Sequence, residues 1–276
     1  MNRIEFINKR VQEHYEDAIS LGYEVVGVFL QGSQNYELDE YSDEYMSDID
    51  TKCIILPNLD DIISNKAPCS FTHCRANNEH IDIKDIRLMF EMFKKQNNSY
   101  VEILFTEFKV VNHKYISLLE QVITQAEKIA RINFNQALRC LSGTSMEKYK
   151  ALEHPYPGTI DKIEKFGYDP KQLHHILRVN DLMRKYILGK SYKDCLIPDD
   201  KKHLMDIKKG CLLLEDARVM AFDVDRDSYR LKESNLLSPE QVDYETINFL
   251  DDMKVKFIKQ YLIEELKSWF NYNYIT

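Results

Sequence analysis

The chain lacks any apolar run near the ~20 residues that cross a bilayer, so its 276 residues are expected to fold without a membrane span. It also lacks a recognisable secretory leader. The opening Met1-Asn2-Arg3-Ile4-Glu5-Phe6 breaks any apolar core with charges, and a cytoplasmic location is expected. A cysteine framework is missing too. Cys53, Cys69, Cys74, Cys140, Cys195 and Cys211 are scattered, which excludes a disulfide scaffold and reads as reduced thiols. There is no internal repeat and no low-complexity tract. Nor is there the strong basic surface of a general nucleic-acid binder: the net charge is −8. That charge is uneven. Residues 1–60 carry 13 Asp/Glu against 4 Lys/Arg, and residues 146–210 carry 14 Lys/Arg against 10 Asp/Glu. The acidic part suits metal ions, and the mildly basic part suits phosphates.

What is present, 44% hydrophobic and 30% charged residues, fits a globular chain of one large domain or two smaller ones. Its most informative stretch runs from Tyr23 to Pro57. The apolar run Val25-Val26-Gly27-Val28-Phe29-Leu30 ends in Gly32-Ser33, and fourteen residues later Ser47-Asp48-Ile49-Asp50 leads into Cys53-Ile54-Ile55-Leu56. Side chains alternate along a strand, so Asp48 and Asp50 share one face of a strand expected over about 48–56. Glu79–Asp85 alternates as a half-buried strand and offers Asp82 as a third carboxylate. Three such acids beside substrate phosphates suit two Mg²⁺ ions, with Mn²⁺ as an alternative. Gly32 has no Cβ and would let the backbone approach a phosphate, while Ser33 would cap a short helix. The acids Asp39, Glu40, Asp43 and Glu44 read as an exposed loop.

The remaining pattern predicts an α+β fold. A helix is expected over 3–21, strands over 23–31 and 48–56, and a helix from Ile86, broken at Asn97-Asn98-Ser99. Val101–Phe105 and Phe108–Val111 are expected as further strand. Past His113 the spacing turns helical, most clearly over Tyr115–Leu141, Met146–His154, Pro170–Leu188 and Gln241–Phe270. The expected division is an α/β domain over 1–112 and a helical domain over 113–276 that completes the nucleotide cleft. In the helical part Asp169-Pro170 is a helix start, with Asp as N-cap and Pro at the first helical position. Lys171, His175 and Arg178 then fall on one face. A lysine in a first turn opposes the helix dipole, a conflict that a bound triphosphate would remove.

Taken in order, these pieces resemble the DNA polymerase β-like nucleotidyltransferase superfamily. More narrowly, they are similar to the predicted nucleotidyltransferases of bacteria and phages that include the RNA-ligase-associated RlaP group. The stretches that carry the likeness are Gly32-Ser33-Gln34-Asn35-Tyr36, Ser47-Asp48-Ile49-Asp50-Thr51-Lys52 and Asp82-Ile83-Lys84-Asp85-Ile86-Arg87. Val101-Glu102-Ile103-Leu104-Phe105 and Gly167-Tyr168-Asp169-Pro170-Lys171, with His175 and Arg178, complete the set. The resemblance implies that Asp48, Asp50 and Asp82 are catalytic metal ligands and that Gly32 and Ser33 contact phosphate. Lys171, His175 and Arg178 match the group's helical motif and are expected to bind the nucleotide. Two features depart from the group. Glu37 stands where a glycine follows the tyrosine, and the loop through Asp39–Met46 is longer.

The expected activity is transfer of an NMP from an NTP to an acceptor, with release of pyrophosphate. An RNA end, such as that of a tRNA, is the first choice of acceptor because of the group's association with RNA repair. A protein hydroxyl (AMPylation by an antitoxin-type enzyme) is the enzymatic alternative. A non-catalytic nucleotide- or RNA-binding module is the other class. Cys69, His73, Cys74 and His80 lack a standard zinc spacing. Trp269, Phe270, Tyr272 and Tyr274 could stack bases, but read first as the end of a packing helix.

Overall fold

The apolar run after Tyr23 becomes the centre of a sheet. In the computed structural model, which describes residues 2–41 and 46–274 (for 269–274 the backbone), five strands form: β1 (Glu24–Gln31), β2 (Asp50–Leu56), β3 (Ser70–Cys74), β4 (His80–Asp85) and β5 (Lys109–Val111). Their order is β3-β4-β2-β1-β5. β2 and β4 run parallel, and the other pairs are antiparallel. β1 and β2 are buried on both faces, which is why each reads as a near-continuous apolar run. The helix Arg3–Ser20, started by a capping box between Asn2 and Glu5, covers one face. Its Ile7, Val11 and Ala18 join Val25, Val28, Leu30, Cys53, Ile55, Ile81 and Ile83 in one core. A bulge between Val25 and Gly27 puts one extra residue into β1. Val25 and Val28, three apart, therefore face the same helix. A Cβ at Gly27 would crowd the Val110 carbonyl at 3.1 Å. The helices Ile86–Lys94 and Tyr244–Tyr274 lie on the other face, where Phe257 packs against Phe90 and Tyr115.

Behind the sheet sits a buried polar network. His14 is fully buried between Thr51 Oγ1 (2.9 Å) and Glu79 (3.0 Å). Glu79 also pairs with Arg10 and Arg75. Burial pushes the Glu79 carboxyl up, but the hydrogen bonds from His14 and Arg10 outweigh it and bring it to about 2 from the usual 4.5. A depressed carboxyl contributes stability above its unfolded value and loses it as pH falls through the folded one. Glu79→Gln should therefore lower Tm at neutral pH, and the gap to wild type should close between about pH 4.5 and about pH 2. A gap that stays constant across this range in a thermal melt series would remove the ionic contribution.

Two contact-defined units divide the chain. The first takes in Met1–Asn35, Asp39–Ile132 and Asp243–Thr276, so residue 112 lies inside it. The second holds Tyr36–Leu38 and Asn133–Val242. Its helices are Phe134–Ala151, Ile160–Phe166, Pro170–Ile187, Tyr192–Leu196, Lys201–Lys208 and Leu214–Asn235, around Leu152, Tyr168, Leu173, Ile176, Ile207, Ala217 and Ala221. Two expectations are corrected. Val101–Phe105 is not strand: Asn97 caps a turn at Ser99, and Asn98–Val101 runs on into a 3₁₀ helix over Glu102–Phe105. Helical spacing buries Val101, Ile103 and Leu104 just as well. Tyr115–Leu141 is not one helix either. It breaks after Thr124 and Ile129, and Asn133, accepting from the Gln136 amide, starts a new helix at Phe134. All six cysteines are free thiols. No helix among the described residues is long and apolar enough to cross a membrane.

Candidate functional site

Sheet register builds the first unit's site. β1 ends at Gln31, which pairs with Asp50, the first residue of β2. The Gly32-Ser33 turn and the Asp48-Ile49-Asp50 segment therefore meet at one end of the sheet. Gly32 turns there with φ +97°, a conformation that favours glycine, and its carbonyl accepts from the Asn35 amide at 3.0 Å. A 3₁₀ helix over Ser33–Tyr36 follows, as the sequence predicts. Gln34 Nε2 donates to the Asp48 carbonyl at 2.7 Å and to Tyr41 Oη at 3.0 Å, tying the turn to the acidic segment. Asn35 donates to the Leu30 carbonyl and accepts from Thr106 Oγ1. Asp48 itself is exposed and precedes the strand. Asp39 does not behave as part of an exposed loop: Arg3 Nε and Nη2 grip its buried carboxylate at 2.5 and 2.6 Å. Asp43 and Glu44 lie outside the described residues.

β4 adds its residues on the same face as Asp50. The His80 amide and Nδ1 lie 3.0 and 3.2 Å from Asp50 Oδ1. Two residues further on, Asp82 pairs in register with Lys52. Lys52 Nζ and Tyr100 Oη donate to Asp82 Oδ2 at 2.9 and 2.8 Å, and Lys84 Nζ lies 3.4 Å from Oδ1. Burial raises the Asp82 carboxyl, yet Lys52 and Tyr100 carry it below the usual range. The Tyr100 phenol is pushed up by its burial and by that carboxylate. The sequence pattern assigns no role to Gln34, Lys52 or Tyr100, although the first two lie in stretches that carry the resemblance. Lys52 carried a signal, because it stands two residues after Asp50 and so shares its face.

These residues allow a test of the expected metal. Among the described residues, no three His, Cys, Asp or Glu side chains converge as a metal-ligand set, which also leaves Cys69, His73, Cys74 and His80 without one. The Asp48–Asp50 segment has the hard carboxylate oxygens that Mg²⁺ takes together with substrate phosphates. Asp82, by contrast, is engaged by protein donors.

In the second unit the helix Pro170–Ile187 starts as its sequence predicts. Asp169 Oδ1 accepts from the Lys171 amide at 2.9 Å, and Pro170 follows the cap. Arg178 is 7% exposed, its guanidinium lies 4.0 Å over the Tyr36 ring, and its Nε and Nη1 are buried without a hydrogen-bond partner. Burial, Arg178, His174 and Lys171 together hold His175 well below the usual imidazole range. Burial also takes the neighbouring His174 down to about 3, although its Nδ1 meets the Leu204 carbonyl at 3.0 Å.

Glu37, which stands where the resemblance leads one to expect a glycine, has φ +57°. A side chain in that left-handed region costs roughly 1–2 kcal/mol. Its carboxylate pairs with Lys201, and the next carbonyl, Leu38, accepts from Lys208 at 3.1 Å. Glu37→Gly should be more stable than Glu37→Ala by about 1 kcal/mol in urea unfolding, since both lose the ion pair and only glycine relieves the backbone. Equal stabilities would mean that the position carries no strain. The aromatic side chains of Trp269, Phe270, Tyr272 and Tyr274 lie outside the described residues.

No protein-family model matches the chain, and no curated protein does. Among solved structures the chain is similar to a nucleotidyltransferase-like protein from Exiguobacterium sibiricum 255-15. The identity is 10% and the TM-score 0.29, over 84% of this chain and 76% of that one.

Proposed function

We propose that the first unit carries out metal-dependent nucleotidyl transfer, moving an NMP from an NTP to an acceptor hydroxyl with release of pyrophosphate. One observation carries this reading: the Gln31–Asp50 register sets the Gly32-Ser33 turn beside Asp48 and Asp50, with Asp82 on the same sheet face. A Mg²⁺ held by Asp48 and Asp50 would neutralise charge at the reacting phosphate. The chain's own contribution is positioning. Gly32 gives the phosphate a close approach to backbone, Ser33 offers a hydroxyl, and Gln34 fixes the Asp48 main chain. In the second unit we assign the holding of a phosphate to Lys171, His175 and Arg178. We favour an RNA end as the acceptor because the chain's positive balance lies over 146–210.

The pairing of Asp82 with Lys52 supports one other reading, a nucleotide-binding module that does not turn over. Incubation with each α-labelled NTP, Mg²⁺ and cellular RNA or protein separates them. Label in RNA is the expected result. Label in protein would move the acceptor to a protein hydroxyl, and no label with any NTP would reject nucleotidyl transfer.

A further inference from the structure

We propose that Lys52 is a built-in cation: its ammonium, fixed on Asp82, fills the role of a second divalent ion and leaves the Asp48–Asp50 segment to hold a single one. The inference rests on the nucleotidyl-transfer reading above. It starts from the alternation of β2, which puts Lys52 on the same face as Asp50, one pleat further along. The parallel register with β4 then sets Asp82 directly beside Lys52 rather than beside Asp50, whose neighbour across the strands is His80.

The side chains complete the arrangement. Lys52 is 5% exposed, so its ammonium needs a counter-charge, and Asp82 supplies it at 2.9 Å. The Tyr100 ring lies 3.8 Å from the same Nζ, while its hydroxyl donates to the same Asp82 oxygen. Each carboxylate oxygen has two lone pairs, so Lys52 and Tyr100 fill Oδ2. Lys84, anchored by Ser70 Oγ at 2.7 Å, faces Oδ1. A divalent ion bound to Asp82 would lie against two ammonium groups and be repelled by both. Lys52 is in this sense a positioning residue, because it fixes both the charge and the orientation of Asp82.

The test is Mn²⁺ binding to the full chain, followed by electron paramagnetic resonance in a double-mutant cycle. Wild type should bind one Mn²⁺. Asp50→Asn should weaken it at least tenfold, whereas Asp82→Asn should leave the affinity within about twofold, a comparison that keeps Lys52 in place. Lys52→Met, which keeps an apolar stem over Tyr100, should add a second Mn²⁺, and Lys52→Met with Asp82→Asn should lose it again. Two ions or none in wild type, or Asp82→Asn weakening Mn²⁺ as much as Asp50→Asn, would overturn the proposal. NTP turnover is read separately. Its absence with the metal pattern intact would reject nucleotidyl transfer while leaving the one-ion site and the Lys52–Asp82 pairing in place.

Discussion

Asp50→Asn should lower NMP transfer roughly 10²–10³-fold, the range for removing one preorganised charge contact at a reacting centre, and should leave the fold unchanged. The reason is local. Asp50 accepts from the His80 amide through Oδ1, and asparagine keeps that carbonyl oxygen. The register with Gln31 uses the main chain and is untouched. What disappears is one negative charge at the end of the sheet where Gly32, Ser33 and Asp48 also lie. Single-turnover assays with labelled NTP, read beside a thermal melt, give the answer. Turnover within threefold of wild type at ordinary Mg²⁺ would take Asp50 out of the catalytic machinery. A Tm loss of many degrees would mean instead that the carboxylate serves the fold.

The parts of this site that were legible in the sequence are those set by local chemistry. Asp169-Pro170 announces its helix because a cap and a first-turn proline act within three residues, and the cap forms as read. The alternation of Glu79–Asp85 likewise yields β4, and the apolar run after Tyr23 yields β1. Val101–Phe105 misleads for a known reason: a short apolar run fits a buried strand and a buried helical turn equally well. There the Asn97 cap decides, and Glu102 comes to lie in a 3₁₀ turn.

Register is the information that a single sequence withholds. Whether Asp82 meets Asp50 or Lys52 depends on how β4 slides along β2, and a shift of two residues exchanges the partners without altering either strand's pattern. The bulge at Val26 is equally hidden, although it decides which side chains of β1 face the Arg3–Ser20 helix. Glu37 shows the reverse case. The expectation of glycine came from resemblance, and the backbone explains it, because the position is left-handed.

Arg178 gives the other large effect. In the second unit its guanidinium is buried against Tyr36, with Nε and Nη1 unpartnered. Stacking on an aromatic face offsets part of the cost of burying a charge, but supplies no acceptor. Its neighbour Lys171 is a cation and offers none either. Such a group is poorly satisfied until an anion arrives, and a phosphate matches the planar fork of a guanidinium. Arg178→Met should therefore act in two opposite directions. Without anion the variant should melt at or above the wild-type temperature, because an uncompensated buried charge has been exchanged for apolar volume. With inorganic triphosphate, the rise in Tm seen for wild type should vanish, and affinity should fall by about 10- to 150-fold, the equivalent of ~1.5–3 kcal/mol for a charge-assisted contact. An uncharged nucleoside should bind both proteins alike. If instead the variant melts well below wild type and still binds triphosphate, Arg178 is a packing residue whose stack on Tyr36 holds the unit together, and the phosphate assignment falls with it.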